Sequence, residues 1–193
     1  SYHLSDVPQS QRRADLDALI DTLPGQVLFP VPPSGRAGEL ALHLMRRFGP
    51  EAVLLDPECC HALRAALASG SIATSTQEIA PLLERGPLDA ARFLICDTPN
   101  ADGGAAWAYV RAWRESGRLG RDAHMTAHAR GIETVEGGYF RRWNVHPPLS
   151  DQIAMIRRLG ALRFAPTFCA LPEDYLVEAA FGAQVFLHDT VTL

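Results

Sequence analysis

The sequence predicts an α/β protein built on a parallel sheet with flanking helices. Short, continuously apolar runs at 27–31 (VLFPV), 52–56 (AVLLD) and 92–96 (RFLIC) read as strands buried on both faces. Segments of helical periodicity separate them. Strand and helix therefore alternate, the order expected when parallel strands are joined by helical crossovers.

The elements follow in chain order. Leu16, Leu19, Ile20 and Leu23 recur at helical spacing within 11–23, and Pro24-Gly25 ends that helix. The first strand, Val27 to Val31, stops at Pro32 and Pro33. A Ser-Gly-Arg turn leads into a helix whose buried face is Ala37, Leu40, Ala41, Leu44 and Phe48, closed by Gly49-Pro50. After the second strand, Asp56 is placed to cap a helix with Pro57 at its first position, and Ala62, Leu63, Ala66 and Leu67 form its inner face. SIATST reads as a loop, and Pro81 as the start of a short helix over 81–85. The third strand ends at Asp97, the TPNADGG loop follows, and Trp107, Val110 and Trp113 mark a helix. Beyond Gly117 the pattern changes. Residues 124–129, 132–136 and 138–143 look like successive strands. Ser150 is expected to cap a helix with Ile153, Ile156 and Leu159 on one face. A strand at 163–169 bent at Pro166, a helix at 173–181 and a closing strand-like segment complete the chain.

Composition narrows the function classes. The 193 residues are 47% hydrophobic and 21% charged, which is globular composition. No apolar stretch approaches a membrane span, and the first residues do not read as a signal peptide, so a cytoplasmic protein without membrane contact is expected. The net charge of −4 does not advertise nucleic-acid binding. All 18 basic residues are arginine, which base composition of the genome explains, although arginine also suits bidentate phosphate contacts. The pairs Arg12–Arg13, Arg46–Arg47, Arg141–Arg142 and Arg157–Arg158 read as solvated element ends. Cys59, Cys60, Cys96 and Cys169 show no zinc spacing and fit a reducing compartment.

Two places stand out as chemistry. The turn at Gly35 and Arg36 sets free backbone N–H groups and a cation at a helix N-terminus, where an anion is favoured; the plainer reading is an ordinary strand-to-helix joint. His146 sits in WNVHPPLSDQI at a strand end ahead of a helix, and imidazole can give or take a proton near neutrality. His43 and His61 read as surface or packing histidines on helices. His124 and His128 would stand roughly 13 Å apart on a strand, too far to share a metal. No nucleophile elbow, Walker loop or H-E-x-x-H is present.

Several segments, in order, resemble the carboxy-terminal part of the β-CASP metallo-β-lactamase-fold nucleases, a family that includes ribonuclease J and the pre-mRNA cleavage factors. Ser1-Tyr2 is similar to the end of the acidic-S-T-Y motif, and VLFPVPPSGRAGEL resembles V-L-I-P-x-F-A-x-G-R-x-Q-E-L, with Gly35, Arg36 and Glu39 on its most recognisable positions. FLICDTPNADGG resembles the strand and S-G-M-x-x-G-G loop, keeping Gly103 and Gly104. GGYFRRWNVHPPLSDQI is similar to G-F-S-A-H-A-D-x-x-E-L, with His146 on the histidine. LRFAPTFCALPE and HDTVTL resemble the V-H-G-E strand and the closing G-E-x-V-x-L strand.

The resemblance implies a connecting helix over 1–24, a parallel-sheet β-CASP cap domain over 25–120 and, over 121–193, the carboxy-terminal part of a metallo-β-lactamase αβ/βα sandwich. It implies hydrolysis of phosphodiesters in RNA or DNA, RNA ahead of DNA, with His146 assisting the leaving group. Gly35, Arg36, Gly103 and Gly104 are the implied substrate contacts. The family activates water with two zinc ions. Their main ligand cluster belongs to an amino-terminal half outside this sequence, so no zinc is expected on this chain alone, and the chain reads as a piece of a longer protein. That half and nucleic acid are the implied partners, with a homodimer as a further option. Phe168 stands where V-H-G-E has its metal-binding histidine, and Pro148 where H-A-D has its aspartate. These departures motivate an alternative, a catalytically inactive binding or assembly module of the same fold. For Arg36 an ion pair with Glu39 that pins the helix stands beside phosphate contact. A third reading, without the family, is a doubly wound small-ligand domain with Asp56 and Asp97 at strand ends, although both are explained as helix caps.

Overall fold

The computed structural model describes residues 7–72, 74–84, 91–127, 131–141, 149–164 and 182–185. It divides into two compact units, one of residues 13–143 and the other of 1–12 with 144–193.

The larger unit carries a five-stranded sheet in the order β2-β3-β1-β4-β5, parallel throughout. Its strands are β1 (Gln26–Pro30), β2 (Val53–Leu55), β3 (Phe93–Cys96), β4 (Ala123–Ala127) and β5 (Gly138–Phe140). Leu28 of β1 is in register with Leu94 of β3 on one side and Met125 of β4 on the other. The runs that carry no alternation in sequence are apolar because both faces are covered. Val27, Phe29 and Val31, with Phe93 and Ile95, pack beneath α1 (Gln9–Thr22), α2 (Arg36–Phe48), α3 (Pro57–Ala68) and α4 (Thr76–Leu83). Leu28, Leu94, Cys96 and Met125 face the other way, against Ala106, Val110 and Trp113 of α5 (Gly104–Glu115). The chain leaves β1 toward β2, and later returns from β3 to β4 through α5. Helix α5 therefore covers the face opposite to α2, α3 and α4.

The sheet runs on past residue 120, where the sequence pattern changes, to Phe140. Two expectations there and nearby are corrected. Residues 132–134 form a short 3-10 turn, not a strand, led in by Gly131 in a left-handed conformation. Helix α4 begins at Thr76 instead of Pro81, because Ser75 caps it by accepting from Glu78 N at 3.1 Å. Ser75 and Glu78 make the spacing of a capping box, a start signal stronger than a proline.

In the other unit, α6 (Leu149–Leu159) begins one residue ahead of Ser150, so Ser150 lies in its first turn. Gln152 and Ile156 are buried, but Leu159 is exposed, which narrows the expected apolar face. Strands β6 (Arg163–Phe164) and β7 (Gln184–Val185) pair in parallel. The helix expected at 173–181 lies outside the described residues. Among the described residues no helix is long and apolar enough to cross a membrane.

Candidate functional site

In a sheet of this kind a crevice opens at the carboxyl ends of neighbouring strands whose connections depart in opposite directions. Here those strands are β1 and β4. The chain turns from β1 toward β2, and from β4 toward β5 at the opposite edge. A small cleft, open to solvent, lies at this point, lined by Leu16, Phe29, Val31, Arg36, Leu40, Thr126, Ala127 and Arg141.

The turn after β1 builds one wall. Gly35 has φ +70°, and a Cβ there would meet nothing within 4 Å, so the residue supplies left-handed backbone beside open space. No side chain caps α2 at Gly35. Arg36, the first residue of α2, retains only 8% of its surface, and its Nε is buried with no hydrogen-bond partner among the described residues. Burial depresses its affinity for the proton and the charge of Glu39 raises it, yet guanidinium remains a cation at neutral pH. Glu39 itself accepts from Arg13 NH2 at 2.5 Å. The internal Arg36–Glu39 pair weighed from sequence is therefore replaced by a tie between α1 and α2.

That tie belongs to a row. Asp17 accepts from His43 Nε2 at 2.8 Å and lies 3.1 Å from Arg47 NH1, while Arg47 NH2 reaches Asp21 at 2.5 Å. Arg46 pairs with Glu78 of α4 at 2.7 Å. Arg13, Arg46 and Arg47 thus join helices, where the sequence suggested solvated ends. His43 is the packing histidine expected.

Arg141 supplies the second cation of the cleft. Its backbone N–H donates to Ala127 at 2.9 Å, which places it beyond β5 beside the end of β4. Its NH1 donates to the Phe140 carbonyl at 2.8 Å. Sequence reasoning passed over Arg141 and Thr126 as site residues because only the β1–β4 and β4–β5 pairings bring them to Arg36.

Gly103 and Gly104 occupy a different place, the loop after β3. Gly104 has φ +57°, and a Cβ there would lie 2.9 Å from the Asp97 carbonyl oxygen. That carbonyl accepts from Ala106 N at 2.8 Å, so the glycine permits the start of α5 to close onto β3. Gly103 is extended and has ordinary room. Neither lines the Arg36 cleft. Asp56 caps α3 as expected, with Oδ1 accepting from Cys59 N at 2.7 Å, and its Oδ2 also accepts from Asp97 N at 2.9 Å. Asp97 departs from expectation, since Gly103 is the N-cap of α5. Burial, then the charges of Asp56, Glu58 and Asp102, raise its pKa. Burial also raises the pKa of Cys59 and Cys96 and holds both as thiols.

His146, Phe168, Pro148 and His128 lie outside the described residues. His124 is enclosed, 3% exposed, with its ring centroid 6.0 Å from that of Tyr139. Among the described residues no group of three His, Cys, Asp or Glu side chains could hold a metal ion. No protein-family model, curated protein or solved structure matches this chain.

Proposed function

We propose that this chain is the cap-bearing and carboxy-terminal portion of a β-CASP metallo-β-lactamase-fold nuclease that hydrolyses phosphodiesters in nucleic acid, RNA ahead of DNA. The observation that carries the reading is Arg36. It lies in the segment most similar to the family, at the carboxyl end of a parallel strand, and among the described residues it has no ion-pair partner. A cation held there suits a polyanionic strand better than a neutral metabolite. In this reading Arg36 and the turn at Gly35 contact the backbone of the nucleic acid, and His146 assists departure of the leaving oxygen. Among the described residues no group of three His, Cys, Asp or Glu side chains could hold a metal ion, and in this reading the main ligands of the two family zinc ions come from the amino-terminal half.

The test is a nuclease assay of the protein expressed from its complete reading frame, with zinc or manganese, on labelled RNA and DNA oligonucleotides. Metal-dependent cleavage is expected, and His146→Ala should lower the rate by about 10²-fold or more, the usual contribution of a general acid. Absence of cleavage together with absence of bound metal removes the enzyme. Phe168 and Pro148, where the family has a metal-binding histidine and an aspartate, would then favour the second reading, an inactive binding or assembly module. That module folds without metal and keeps its stability when His146 is replaced by alanine.

A further inference from the structure

We propose that the cleft between the carboxyl ends of β1 and β4 is an oxyanion site that takes a single phosphate group between the guanidinium groups of Arg36 and Arg141. The inference deepens the nuclease reading and rests on it for the source of the phosphate, a nucleic-acid strand.

Arg36 is more than nine-tenths buried, lines the cleft and leaves Nε unpartnered. A buried cation with no direct ion pair among the described residues is expensive, and folds retain one where something else supplies the charge. The nearest acid on its own helix is engaged, since Glu39 accepts from Arg13 at 2.5 Å. Arg141 adds a second cation from a separate element, with a backbone carbonyl as the partner of its NH1. Among the described residues neither arginine has an ion-pair partner. Thr126 of β4 also lines the cleft. The uncapped start of α2 turns its N–H groups to the same end of the sheet.

Leu16, Phe29, Val31 and Leu40 form an apolar wall, which reduces screening and strengthens each charged hydrogen bond. Two arginine forks suit the geometry of phosphate oxygens.

Calorimetric titration of the full chain with inorganic phosphate at constant ionic strength tests this, with Arg36→Met and Arg141→Ala as variants and circular dichroism as the check on folding. Saturable phosphate binding is expected, weakened about tenfold or more in each variant. Absence of saturable binding in the unsubstituted chain overturns the proposal, as does a folded Arg141→Ala protein that binds phosphate as tightly. Should Arg36→Met not fold, Arg141→Ala decides alone, with the phosphate-dependent rise in melting temperature as its second readout. A 5′-phosphorylated oligoribonucleotide that binds tighter than its 5′-hydroxyl twin identifies an end phosphate as the source. Equal binding of the two, lost in Arg141→Ala, identifies internal phosphodiesters. Cleavage of nucleic acid without phosphate binding removes this site and leaves the nuclease; phosphate binding without cleavage does the reverse.

Discussion

At the scale of single residues, the side chains that organise the larger unit are polar groups held at the ends and edges of the sheet. Asp56 uses one oxygen to cap α3 and the other to accept from Asp97 N, so one buried carboxylate fixes the start of a helix to the end of a neighbouring strand. His124 shows the opposite situation. Its ring is buried against Tyr139, and among the described residues neither nitrogen has a hydrogen-bond partner. Burial lowers its pKa, opposed in part by the backbone at Arg121 and the charge of Asp122. An unfolded histidine takes up a proton near pH 6.5, whereas the folded ring resists it. Stability is therefore fully present above that pH and is lost as the pH falls toward the lower folded value. Urea unfolding at pH 7.5 and at pH 5.5 should show the decline, with His124 contributing at most about 1.4 kcal/mol per pH unit. His124→Phe should remove that part of the slope; an unchanged slope would show that other groups cause it.

At the scale of elements, close approach of backbone explains one of the two glycines after β3 that the resemblance offered, with Gly35, as substrate contacts. Gly104 combines left-handed backbone with a Cβ position 2.9 Å from the Asp97 carbonyl oxygen, while Gly103 is extended and clear. Gly104→Ala should destabilise the protein by about 2 kcal/mol or more, since left-handed strain alone is ~1–2 kcal/mol. Gly103→Ala should change stability by less than about 1 kcal/mol. Equal effects in denaturant unfolding would refute this account of the loop. Helices α1 and α2 illustrate a tie that sequence patterning did not disclose. Arg13, Asp17 and Asp21 advance one turn at a time along α1, opposite Glu39, His43 and Arg47 of α2. The two helices run in the same direction because each runs opposite to β1, and each exposed pair adds only ~0–1 kcal/mol to the apolar packing beneath it.

At the scale of the whole molecule, both apolar clusters are contained in the larger unit. One lies under α1 to α4, the other under α5, and every buried member falls between Leu16 and Ile132. A fragment of residues 7–143 keeps all of α1 and the entire five-stranded sheet. It should fold alone, with a single cooperative urea transition and native-like far-ultraviolet circular dichroism. A broad, non-cooperative transition would show that the unit depends on the rest of the chain.

The first three strands, most helix starts and the α/β class were legible in the sequence because each is decided locally. Continuous apolar runs mark buried strands, Asp56-Pro57 marks a helix start, and Gly-Pro pairs mark stops. Local signals misled where two competed: Pro81 outweighed the Ser75–Glu78 capping box, and the β-branched residues of 132–136 concealed a turn set by Gly131. The partner of Glu39 and the meeting of Arg36 with Arg141 were decided only by tertiary structure. Strand order sets which loops share one end of a sheet, and that order depends on long-range pairing, which no local pattern encodes.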